Sequence, residues 1–138
     1  LKKNLRDFLP RQAQNILRQA AVAVANDIRD EIRANIPENV RHYKTAIATY
    51  RPKVGRHQVA ADVVAKRTPP KAFYLHNIVE GGTKDRYTKS GAFRGRVKAQ
   101  PFKKPVVDRW RSKVPAEFEK QLAIKLEKAW EKRRTGAK

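Results

Sequence analysis

The sequence predicts an α+β fold: a long N-terminal amphipathic helix and a C-terminal helix packed on a small antiparallel sheet, with a long basic loop. Three observations predict it. Apolar residues recur at steps of three and four from Pro10 to Ile36; two short β-rich runs follow between 45 and 66; and helical spacing returns beyond Pro105.

The first helix is expected over 10–36, where Leu17, Ala20, Ala21, Val24, Ile28, Ile32 and Ile36 form one stripe. At 100° per residue, Arg11, Arg18, Arg29 and Arg33 fall together on one flank of that stripe, within an arc of about 60°. Pro37 stops the helix, because its ring disfavours the helical conformation in the residue before it. The segment 37–44 reads as a polar connection. The runs 45–51 and 57–66 are rich in Val, Thr, Ile and Tyr and flank a turn signal at Pro52 to Gly55, so 45–66 is expected to be a β-hairpin.

After the breaker Thr68-Pro69-Pro70, a short helix is expected over 72–80, ended by Gly81-Gly82. The stretch 83–100 holds Lys84, Arg86, Lys89, Arg94, Arg96 and Lys98 against Asp85 alone, with Gly91 and Gly95 between them, and reads as a long basic loop or loose hairpin. A connection of that length in a compact domain usually carries function. The region 103–134 is expected to be helical, with Pro115 opening a second amphipathic stretch through Phe118, Leu122, Leu126, Ala129 and Trp130. The tail 135–138 is expected to fray. Phe73, Tyr74, Phe102, Trp110, Phe118 and Trp130 sit among apolar neighbours and are assigned to the core.

A chain of 138 residues is one domain long. Its 33 Lys and Arg outweigh 13 Asp and Glu, a formal charge of +20 that calls for an anionic neighbour, with nucleic acid the first candidate. No run approaches the roughly 18 apolar residues of a spanning helix, and residues 1–7 lack the apolar centre of a signal peptide, so a soluble protein without a membrane partner is expected. Cysteine is absent, which excludes disulfides, thiolate metal sites and a cysteine nucleophile.

The acidic residues are scattered, most of them beside Lys or Arg on expected helix surfaces, rather than paired as acid and base. No catalytic residue, metal ligand set or cofactor is therefore assigned. His76 and Glu80 lie four apart on the short helix without a third ligand in sequence reach, and read as structural polar residues. His42 and His57 are isolated. Gly81-Gly82-Thr83-Lys84 lacks the spacer and second glycine of a phosphate loop.

Tyr74-Leu-His-Asn-Ile-Val-Glu-Gly-Gly-Thr83, followed after a basic insertion by Ala99-Gln-Pro-Phe-Lys-Lys-Pro105, resembles the paired signature of the tail-completion proteins of long-tailed bacteriophages, a family of head-tail connector or neck components. In that family an aromatic precedes Val-Glu-aromatic-Gly-Thr, and Pro-Phe-x-x-Pro follows. Tyr74, Val79, Glu80, Gly82, Thr83, Gln100, Pro101, Phe102 and Pro105 carry the resemblance. Gly81 stands where the family usually has Phe or Tyr, and the loop 84–98 is longer and more basic than common. The resemblance implies a structural virion protein assembled in the host cytoplasm. It further implies a homo-oligomeric ring, hexameric in the family, that meets head-connector and tail proteins while double-stranded DNA passes through. Within such a ring Arg86, Lys89, Arg94, Arg96 and Lys98 are expected to face DNA or an acidic neighbour, and Arg11, Arg18, Arg29 and Arg33 are candidates for the same role.

Two other readings fit the composition. A ribosome-associated or other RNA-binding protein would share the charge, the size and the extended basic loop. A nuclease would need carboxylates around a divalent metal, Asp62 and Glu80 being the best placed in sequence.

Overall fold

The computed structural model is an α+β fold with long N- and C-terminal helices and a two-stranded antiparallel sheet. It describes residues 2–55, 58–66 and 70–136, without the side chains of 2–10, 42, 43, 70–75 and 133. His57, Thr68-Pro69 and the end of the tail, Ala137-Lys138, lie outside the described residues, as do the side chains of His42, Phe73 and Tyr74. The chain divides into two compact units: residues 1–27, 49–63 and 111–138 form unit 1, and residues 28–48 and 64–110 form unit 2.

Helix α1 spans Lys2–Ala34, eight residues longer at its start than the sequence suggests. Leu5, Phe8 and Leu9 continue the three-and-four spacing upstream, so Pro10 is an interior residue of the helix and not its opening. The helix ends as expected before Pro37. The backbone N–H of Asn35 and its side-chain amide, at 3.1 and 2.8 Å, both donate to the carbonyl of Glu31 and satisfy the last turn.

The segment expected to be a polar connection is a 3-10 helix, Glu38–Ala46, with a kink at Val40. It covers Thr45 and Ala46, the first two residues of the expected hairpin. The strands are short: β1 spans Ile47–Tyr50 and β2 spans Asp62–Ala65. The connection between them is therefore 51–61 and not a tight turn. Pro52 has no N–H to give a ladder, and Gln58 closes a local turn on Gly55 instead, at 3.0 Å.

Helix α2 spans Pro70–Gly81 and packs on the 3-10 helix. Helix α3 is one element, Lys104–Arg134, with Pro115 inside it. Proline in an interior removes one bond and bends a helix without always ending it. The helix takes in Lys132 to Arg134, and Thr135 still donates to Glu131 at 3.0 Å before Gly136 turns left-handed, so the tail departs only from there.

Unit 1 buries Ala20, Val24 and Ala25 of α1, and the Thr49 hydroxyl donates to the Asn26 side-chain carbonyl at 2.8 Å. Unit 2 holds most of the buried apolar residues: Ile32, Ile36, Val40, Ala46, Ile47, Val79, Phe102 and Val106. Phe102, Ile47 and Val106 are its largest fully buried side chains. Trp110 is half-buried, its indole N–H donating to Glu31, whose other oxygen takes Arg109. The core assignment fails for Trp130, which is 66% exposed, and Leu126 one turn before it is exposed too. Helical spacing marks an apolar face without stating what covers it.

Candidate functional site

The two halves of the paired signature meet in unit 2. Val79, buried, accepts the backbone N–H of Gln100 at 2.8 Å, which draws the start of the returning segment onto the end of α2. Glu80 does more. One carboxylate oxygen accepts the N–H of Phe102 at 2.9 Å and of Lys103 at 3.0 Å, and the other accepts the N–H of Lys104 at 2.9 Å.

These donors lie at the start of α3, where N–H groups have no partner inside the helix and the helix dipole favours a negative charge. Pro105, in the first turn, has no N–H to satisfy. Glu80 is thus a cap supplied from 22 residues upstream. Partial burial pushes its carboxyl up, but the three N–H donors and the Lys103 ammonium outweigh this and hold it below the usual glutamate range. Burial lowers Lys103 in turn, and the Glu80 charge partly restores it.

Gly82 explains the turn between the halves. Its φ is +68°, and a Cβ there would stand 2.8 Å from both the Ala99 nitrogen and the Val97 carbonyl oxygen. Only glycine combines that conformation with that approach. Gly81, beside it, has open space around a Cβ. Thr83 then pairs twice with Val97: its N–H donates to the carbonyl and its hydroxyl accepts the N–H, each at 2.9 Å.

The stretch 83–98 is an ordered hairpin and not an open loop. Tyr87 and Phe93 form an antiparallel bridge, and their rings lie 5.5 Å apart at 59°. The tip is a three-residue turn: Gly91 donates to the Thr88 carbonyl at 3.0 Å, Thr88 donates to Ala92 at 2.8 Å, and Gly91 takes a φ of +84°. The Thr88 hydroxyl adds a bond from the Ala92 N–H at 2.9 Å. Arg86 accepts from Arg94 and donates to Gly95, so two residues stand opposite one, a bulge made possible by the φ of +74° at Gly95.

The basic candidates separate into two groups. Arg86, Lys89, Arg94, Arg96 and Lys98 are all exposed on the hairpin, and none forms a salt bridge among the described residues. Arg11 and Arg18 are exposed too. Arg18 lines a cleft of about 620 Å³ in unit 1 together with Arg51, Lys53 and the amides Asn15 and Gln19, with no carboxylate among its lining residues. Arg29 and Arg33 have partners within unit 2. Arg29 pairs with Asp30 at 2.8 Å and holds that carboxyl below its usual range, chiefly through this hydrogen bond. Arg33 donates from Nε, at 3.0 Å, and from Nη2 to the carbonyl of Ile47, and so fixes the start of β1.

Of the remaining signature residues, Phe102 is buried, Pro101, Pro105 and the Gln100 side chain are exposed, and Tyr74 lies in α2. Sequence reasoning missed Arg33 as a strand anchor and the exposed pair Tyr87 and Phe93. A usable signal for the pair existed, since two aromatics six apart flank a Thr-Lys-Ser-Gly turn. His76 is buried within α2, and Glu80 is committed to backbone N–H groups. Among the described residues no group of three His, Asp or Glu side chains is placed to hold a metal, and no helix is long and apolar enough to cross a membrane. No family model, curated protein or solved structure matches this chain.

Proposed function

We propose that this chain is a structural subunit of the neck or tail of a long-tailed bacteriophage. Copies of it form an oligomeric ring that joins the tail to the head connector and lets duplex DNA pass. One observation carries the reading: the two separated parts of the family signature are a single physical unit, with Glu80 of the first part capping the helix that Phe102 to Pro105 of the second part opens.

In that unit Val79, Glu80, Gly82, Thr83 and Phe102 each have a structural task. Glu80, which a nuclease would need for metal, is spent on three backbone donors. The outward chemistry is instead cationic, in the hairpin and beside the cleft at Arg18. Each of these suits contact with phosphates without base selection.

Light scattering on nuclease-treated protein tests the reading. A species near six times the 15.9 kDa chain mass, or a nearby ring multiple, is expected. A monomer that co-purifies with RNA and re-binds it after nuclease removal would instead identify an RNA-binding protein.

A further inference from the structure

We infer that the hairpin 83–98 is a preformed arm that holds the phosphate backbone of duplex nucleic acid on the face bearing Arg86 and Arg94. The inference rests on the proposal that this chain works beside nucleic acid, and adds where the contact is made and by which residues.

Two-stranded hairpins are marginal alone, yet this one is fixed at three levels. Thr83 and Val97 bond twice at its base, the Tyr87 and Phe93 rings clip its middle, and the Thr88 to Ala92 turn closes its tip. A shape held this way is ordered before any ligand arrives, so binding does not have to order it.

Side chains alternate across a strand pair, so Arg86 and Arg94 project on the side opposite the Tyr87 and Phe93 rings. They are cross-strand neighbours of like charge, an arrangement that weakens a hairpin unless an anion lies over it. Lys84, Lys89, Arg96 and Lys98 add to the same arm, whose one carboxylate is Asp85. Six cations against one carboxylate on a single arm call for a polyanion, and duplex phosphate supplies one charge after another along its backbone. Phosphate accepts from guanidinium in paired fashion, and a two-stranded ribbon matches the width of the major groove.

The experiment is fluorescence anisotropy of the full chain on a labelled mixed-sequence duplex of about 20 base pairs, read across a salt series. Arg86→Ala/Arg94→Ala is expected to lower the slope of log affinity against log salt by about 2, roughly one unit for each lost phosphate contact. Arg86→Lys/Arg94→Lys is expected to restore most of that slope, and a second duplex of different sequence to bind equally. Circular dichroism and thermal melting check that the exposed substitutions leave the fold intact. Wild-type binding with an unchanged slope in the double alanine variant overturns the arm while leaving the nucleic-acid reading standing. An unchanged slope accompanied by loss of the assembled species would make the arm a contact between subunits, which also overturns it. Failure of the wild-type chain to bind duplex at low salt removes both.

Discussion

The base of the hairpin and its outer part are continuous in sequence but opposite in how they use their residues. At the base, residues 79–83 and 97–106 include the buried side chains Val79, Phe102 and Val106, and the one carboxylate, Glu80, has three donors. Farther out, Tyr87 and Phe93 are about 60% exposed and the cations have no salt-bridge partner among the described residues. A surface that leaves its own charges uncompensated draws its stability from elsewhere. The base supplies it, and the arm is left free to present charge.

Substitutions that remove packing from the base should therefore be costly, while those on the arm's cations should be nearly silent for stability. The largest effect is expected for Phe102→Ala, which empties one of the three largest fully buried positions and should destabilise by about 3–5 kcal/mol in chemical denaturation. Loss of less than 1 kcal/mol would show that Phe102 does not anchor the returning segment. Gly82→Ala comes next, at about 2–4 kcal/mol, because a left-handed alanine alone costs about 1–2 kcal/mol and its Cβ would press on the Ala99 nitrogen and Val97 oxygen. Both neighbours are backbone, so neither can swing aside.

Glu80→Gln tests the electrostatic part of the base. Loss of the charged cap should cost about 1–2 kcal/mol at neutral pH. The folded chain binds a proton at Glu80 less readily than the unfolded chain does, since the carboxyl is held below its ordinary range. Its contribution is thus complete above the ordinary glutamate pKa of about 4.3 and is lost as pH falls through the lower folded value. Thermal melts from pH 6 to 3 should show the difference between wild type and variant shrinking on acidification. A constant gap would assign the effect to packing.

Much of this contrast is legible in the sequence, and the rest is hidden for identifiable reasons. Helix periodicity reports α1 and α3, Pro37 reports the end of the first, and the run of Lys, Arg and Gly reports an exposed connection after α2. The 3-10 helix at 38–46 has no apolar period long enough to announce it. Arg33 looks like its neighbours on the helical wheel, and only the strand 14 residues later turns it into an anchor. Glu80 is visible as a motif residue, but its cap depends on donors 22 to 24 residues away, which no local pattern encodes. Trp130 shows the reverse limit, since an exposed apolar face and a buried one have the same spacing.

The smallest expected effect has the opposite sign and comes from the residue beside Gly82. Gly81 is the last residue of α2, and unlike Gly82 it is not in the left-handed region. A Cβ there meets nothing within 4 Å. Alanine fits such a backbone without strain and narrows the unfolded ensemble, so Gly81→Ala should stabilise the chain by about 0.4–1 kcal/mol. In a chain of this size that is a rise in melting temperature of about 2–4 °C. Gly81→Tyr should be tolerated in the same open space without loss of the fold. Destabilisation by both substitutions would mean that Gly81 shares the constraint of Gly82, and that the turn into the arm needs two glycines and not one. A gain from Gly81→Ala beside a loss from Gly82→Ala would place the boundary between helix and turn at a single peptide bond.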